Sequence, residues 1–181
     1  MSNDRYELSG GNPSPIDRSV TKLLYVSTAK YGGDWHSLLH THACTELFYV
    51  VGGMGQFNIA DRLLPVSTDD LVIVNPNVEH TELSLNASPL EYIVLGVEGL
   101  EFEPAEDGDD RYALVNFRGG GEEMLFYLRA MLREIETKAE GYQVVCQDLL
   151  EVLLVLFSLV NSKVRALQKG ATFEFIVRLI N

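Results

Sequence analysis

His40-Thr41-His42 is followed four residues later by Glu46, and His80 stands far downstream. On an extended chain, positions two apart point the same way, so His40, His42 and Glu46 share a face. If the strand bearing His80 lies across from them, three imidazoles and one carboxylate converge. Such ligands suit Zn, Ni, Fe, Mn or Cu. With a coordination position left open, they support Lewis-acid chemistry. The plainer alternative is a set of polar groups that hydrogen-bond a bound molecule or one another. Three of the chain's four histidines fall in the set, which argues against accident. His36, the fourth, reads as an exposed loop residue.

These residues need rigid elements to hold them. From about Lys22 to Val97 the signals are for strands: Leu23–Ser27, Glu46–Val51, Gln56–Ile59, Arg62–Val66, Leu71–Val74, His80–Leu85 and Leu90–Val97. Aromatic and β-branched residues dominate these runs, and Gly, Pro, Asn and Asp break them at short intervals. Such spacing predicts a sandwich or barrel over 21–110. Glu98–Asp110 is acid-rich and reads as a solvated connector, since the spacing of a calcium loop is absent.

A helical region over 111–170 follows. Glu122–Lys138 places Leu125, Leu128, Met131, Leu132 and Ile135 on one face. A longer helix is expected over Tyr142–Leu167. There Val145, Leu149, Val152, Leu156 and Leu159 fall at alternating four- and three-residue steps, the seam of a coiled coil. Leu150, Leu153, Leu154 and Phe157 widen the stripe. One face would pack on the strands and the seam on a second copy, giving a homodimer. Residues 171–181 begin a new amphipathic helix that stops with nothing left to pack against. That reads as the start of a linker or of a further domain. Residues 1–20 are polar, hold Pro13 and Pro15, and read as a loosely ordered arm.

The chain has 181 residues and a formal net charge of −12, with 14 Lys and Arg against 26 Asp and Glu. Nucleic-acid binding needs a basic face, so this chain is not expected to hold DNA by itself. Cys44 and Cys146 are too few for a disulfide framework, which points to a reducing compartment. No apolar leader occupies residues 1–20, and Leu149–Val160 is too short to span a bilayer. A cytoplasmic location without membrane contact is the expectation.

His40-Thr41-His42, Glu46 and Gly53 are similar to the first motif of the cupins. Asp70 through Asn75-Pro76-Asn77-Val78-Glu79-His80 resembles the second. Here Asp69 or Asp70 replaces a leading Gly, Asn75 stands at the usual Pro, and Asn77 at the usual Gly. Asn tolerates the left-handed conformation that Gly supplies, so the turn survives. All four cupin ligand positions are occupied.

Within the cupins, His40–Val51, Gly53–Ile59, Pro65-Val66 and Asp70–Ile73 before Pro76 and His80 resemble the N-terminal domain of AraC-type transcription regulators. The resemblance implies a jelly-roll-like β-barrel followed by a helical dimerisation region. It also implies a DNA-binding helix-turn-helix domain beginning near Phe173 and absent from this chain. On that reading the chain senses a small effector, habitually a sugar, inside the barrel and is not an enzyme. Tyr31, Trp35, His42, Glu46 and His80 would line the pocket. A divalent transition metal (Zn, Ni, Fe or Mn) on His40, His42, Glu46 and His80 is compatible but not required. The alternative is a small metal-dependent cupin enzyme, an isomerase or dioxygenase. A purely structural dimerisation domain with an empty barrel is a third.

Overall fold

The computed structural model describes residues 20–32, 37–85, 87–104, 111–117, 120–160 and 164–168. The arm over 1–19, Trp35, His36, the acidic run 105–110 and the segment 171–181 lie outside them.

Three layers build the molecule. The middle layer is a five-stranded antiparallel sheet of β1 (Lys22–Lys30), β7 (Glu91–Glu98), β2 (Thr45–Gly52), β5 (Asp70–Val74) and β9 (Tyr112–Asn116), in that spatial order. A three-stranded sheet of β4 (Arg62–Ser67), β3 (Met54–Ile59) and β6 (His80–Ser84) faces its inner side. Helices α1 (Gly121–Thr137) and α2 (Tyr142–Val160) cover the outer side.

This explains why β2, β5 and β7 read as unbroken apolar runs. Both of their faces are covered, so neither phase of the alternation has to be polar. Leu47, Tyr49, Leu71, Ile73, Ile93 and Leu95 pack with Met124, Leu128, Met131, Leu150, Leu153 and Phe157 of the helices. The other phase, Phe48, Val50, Val72, Val74, Tyr92 and Val94, packs with Phe57, Ile59 and Val66 of the small sheet. Phe48 meets Phe57 and Tyr92 edge-on, with ring centroids 5.1 and 5.4 Å apart.

The turns follow local chemistry. Ala60 and Asp61 both have positive φ (47° and 63°), the tight two-residue connection of a twisted hairpin. Asn77 sits at φ 63°, so asparagine does take the left-handed conformation at that turn. Gly53 at φ 79° closes the β2–β3 corner, and a Cβ there would run into the Pro89 carbonyl. Lys138 ends α1 at φ 52°, its N–H reaching the Glu134 carbonyl at 2.8 Å.

Three strands were not expected. The sheet continues past Asp110 into β9, and β8 (Leu100–Pro104) occupies part of the acidic connector. The second helix stops at Val160 rather than Leu167, and Val164–Gln168 forms β10, antiparallel to β8. A partner strand decides these segments, and short polar-apolar alternation alone does not reveal that partner. No helix among the described residues is long and apolar enough to cross a membrane.

Candidate metal centre

His40, His42, Glu46 and His80 come together: one ligand atom from each lies within 4.8 Å of every other. Glu46 is the second residue of β2 and His80 the first of β6, so the two facing sheets each supply one buried ligand. His40 and His42 precede β2 and are not strand residues, contrary to expectation. Backbone contacts at two points hold their segment. His40 and His80 exchange both N–H···O bonds at 3.0 Å, and Asn77 N–H reaches the His42 carbonyl at 2.7 Å.

The tautomers are fixed where a carbonyl is the partner. His40 Nδ1 lies 2.7 Å from the Leu38 carbonyl and His80 Nδ1 2.9 Å from the Val78 carbonyl. A carbonyl only accepts, so each Nδ1 carries hydrogen and each neutral ring presents a bare Nε2. His80 Nε2 approaches Glu46 Oε2 to 3.0 Å, and His42 Nε2 approaches the same oxygen to 3.7 Å. The 3.0 Å approach lacks hydrogen-bond geometry, so both atoms are buried without a hydrogen-bond partner. Buried polar atoms are rarely left this way, and a shared cation would satisfy both.

Exposure is graded across the site. The His80 side chain is 1% exposed, that of Glu46 5% and that of His42 39%. The centre therefore has a closed floor and opens toward His40 and His42. Burial pushes the Glu46 carboxyl up, but His80, the Tyr25 hydroxyl and His42 outweigh it, so Glu46 sits below its ordinary value. Burial pushes His80 down, but Glu46 and the Val78 carbonyl outweigh it and hold His80 above its ordinary value.

Several polar residues around this centre lie outside the motif residues. Tyr25 on β1 donates to Glu46 Oε1 at 2.6 Å. Glu82, two residues along β6 from His80, is 3% exposed on the same face. Ser37 donates to Glu82 Oε2 and accepts the Glu82 N–H at 3.0 Å. The i, i+2 step from His80 was a usable signal for Glu82. Tyr31, expected in the pocket, has its hydroxyl 3.0 Å from that of Tyr92, whose phenol is pushed up by burial and by the Glu82 charge. Trp35 lies outside the described residues. A cavity of about 330 Å³ opens elsewhere, between β1 and the two helices, beside Leu23, Ile135, Tyr142 and Gln147.

Residues 29–96 match the family model of the cupin domain. That segment holds all four converging residues. The facing sheets around it form a cupin-like β-sandwich with two helices added on one side. Among solved structures, an oxalate decarboxylase of Bacillus subtilis with Mn(II) centres is 19% identical, over 41% of this chain and 21% of that chain, at TM-score 0.38. A predicted oxalate decarboxylase of Thermotoga maritima is 20% identical over 42% of this chain and 67% of that one, at TM-score 0.38. A cupin protein of Bacteroides fragilis is 13% identical over 54% and 86%, at TM-score 0.37. The chain spans about a fifth of the length of the Bacillus subtilis chain it matches. No curated protein matches it.

The expectation of a chain without enzymatic character is corrected here. On the sensor reading, His42, Glu46 and His80 line an effector pocket in which a metal is not required. Their geometry points instead toward an enzyme-like metal site. Three imidazoles and a carboxylate converge, two of the rings are locked by backbone carbonyls, and one side is open.

Proposed function

We propose that the chain is a small metal-dependent cupin enzyme, of isomerase or dioxygenase type, acting on a small oxygen-bearing molecule. The observation that carries this is the paired locking of His40 and His80. Each ring has Nδ1 on a backbone carbonyl, one ligand atom from each of the four residues lies within 4.8 Å of the others, and His80 Nε2 and Glu46 Oε2 are buried without a hydrogen-bond partner. His40, His42, Glu46 and His80 would hold the ion. A divalent ion bound there supplies Lewis-acid polarisation of a coordinated oxygen. Three neutral imidazoles and one carboxylate leave such an ion with a single net positive charge, which favours an anionic or enolisable ligand. The substrate enters past His40 and His42, the open side. Glu82 is the residue we assign to proton transfer. It shares the His80 face, roughly 7 Å along the strand, and the Ser37 hydroxyl orients its carboxylate. Phe48 and Tyr92 close the interior against water.

Elemental analysis of protein purified without a histidine tag tests the reading. The ions to assay are Mn, Fe, Ni and Zn. About one equivalent of one of them supports it, given a four-ligand site. A chain that stays metal-free after incubation with each ion would sink it.

A second reading rests on a different observation. On α2, Val144, Val145, Val152 and Val155 are exposed, while Cys146, Leu150, Leu153, Leu154 and Phe157 face the sheet. The expected seam positions Val145 and Val152 are thus open, Leu149 and Leu156 are half-buried, and the Leu159 side chain lies outside the described residues. A second copy covering this stripe would make the chain the sensing and dimerisation module of an AraC-type regulator. DNA contact would then come from a separate helix-turn-helix domain. Sedimentation of the chain over a concentration series tests the dimer, and a monomer at every concentration would remove this reading.

A further inference from the structure

Tyr25, Gly96 and Glu46 lie side by side on three neighbouring strands. The register pairs Tyr25 with Gly96 across β1 and β7, and Gly96 with Glu46 across β7 and β2. Directly paired strands are about 4.8 Å apart, so β1 and β2 are separated by twice that. A tyrosine side chain spans this gap only if nothing stands between. Gly96 provides the opening: a Cβ on it would collide with the Tyr25 ring. The ring crosses above Gly96, and its hydroxyl reaches Glu46 Oε1 at 2.6 Å. The backbone prepares for this crossing, since β1 shifts register between Leu23 and Tyr25, at the residue that has to cross.

The hydroxyl's own hydrogen is directed. Cys44 Sγ donates to the Tyr25 oxygen at 3.9 Å, and Tyr25 donates onward to Glu46. The two oxygens of Glu46 are therefore unequal. Oε1 is engaged by Tyr25, while Oε2 faces His80 Nε2 at 3.0 Å and His42 Nε2 at 3.7 Å.

We propose that Tyr25, threaded over Gly96, is a positioning residue that restricts Glu46 to one coordinating oxygen, Oε2. Two-oxygen coordination would occupy a further position at the ion. Holding Oε1 keeps that position for substrate, which ties the open side of the centre to a residue on an edge strand. This inference rests on the metal-centre reading above.

The test uses Co(II) or Mn(II) with the whole chain and needs no substrate. The parent, Tyr25→Phe and Gly96→Ala are compared by metal affinity, by the Co(II) visible spectrum and by metal-free melting temperature. Loss of an outer hydrogen-bond partner of a metal ligand typically weakens binding about 10- to 100-fold. Tyr25→Phe keeps the ring and its packing, so the metal-free fold should survive. The expected result is an affinity loss of at least about tenfold with a changed Co(II) spectrum, and the same direction of change in Gly96→Ala. An affinity and spectrum in Tyr25→Phe equal to those of the parent would overturn the inference and leave the metal centre standing. A parent that binds neither ion would overturn both. If Gly96→Ala fails to fold, the Tyr25→Phe comparison decides alone.

Discussion

One residue of phase separates stability from chemistry in the five-stranded sheet. On β2, Leu47 and Tyr49 face the helices, whereas Glu46 and Phe48 face the small sheet. The helix side is predominantly apolar, with Met131, Leu150 and Leu153 fully buried. The inner side is apolar in the middle and polar toward one end, where Glu46, His80 and Glu82 are buried. A strand covered on both faces gives its two phases separate roles. The polar groups can be tolerated on the inner face because Ser37, Tyr25 and backbone carbonyls satisfy part of their demand.

The largest expected effects should break cleanly along that division. His42→Ala should abolish metal uptake while shifting folding stability by no more than about 1 kcal/mol, because its side chain is half-exposed. Leu150→Ala should do the opposite. It leaves a cavity under α2 and should cost about 2–5 kcal/mol. Below its melting transition it should still bind one equivalent of metal. Denaturant titration and elemental analysis of both variants check this. If Leu150→Ala lost metal as completely as His42→Ala, the two faces would not be separable.

The second effect is a reversal in pH dependence. His80 is held above its ordinary 6.5, so its contribution to metal-free stability is present below that value and fades as pH rises through the shifted one. Glu46 is held below its ordinary 4.5, so its contribution is present above that value and fades as pH falls through the shifted one. The metal-free protein should therefore be most stable between about pH 4.5 and 6.5 with respect to this pair. Metal needs His80 deprotonated, so affinity should rise with pH over the range where stability from the pair falls. Melting at pH 6 and pH 8, with and without metal, should show the two trends in opposite directions. Parallel trends would show that His80 is not a ligand.

A smaller effect concerns Glu82. Glu82→Gln keeps the shape and the Ser37 contact but removes the proton acceptor. Metal content should be unchanged, and turnover of any substrate found should fall about 100-fold, within the range of general acid–base assistance. Unchanged turnover would leave Glu82 a structural residue.

The sequence carried the four converging residues because each stands at a strand boundary or a turn, where residue type and spacing are informative. It carried β1 to β7 through their short β-branched and aromatic runs broken by turn residues. Tyr25 could not be read, because its reach depends on a register that puts Gly96 between it and Glu46. Leu100–Pro104 looked like part of an acidic connector, although Leu100 and Phe102 are buried. Val164–Gln168 continued a helical pattern until β8 offered it a partner. In each case a distant strand supplied the deciding interaction, and local propensity had no access to it.

The comparison between faces extends to α2, and there the expected change in stability is small. Its inner stripe, Leu150, Leu153 and Leu154, is spent on the sheet. Its outer stripe holds Val145 at 41% and Val152 at 36% exposure. A lone exposed valine needs no explanation, but Val144, Val145, Val152 and Val155 are exposed together on one side of α2, around the exposed Asp148. Val145 and Val152 are partly exposed within one protomer, so Val145→Glu with Val152→Glu should change folding stability by only about 1 kcal/mol. In a dimer the same change buries two carboxylates without partners, which costs far more than the lost apolar area. Sedimentation should then show the parent as a dimer and the double variant as a monomer of 20.2 kDa, with metal content equal in both. A double variant that sediments like the parent would place the contact between copies somewhere other than this stripe.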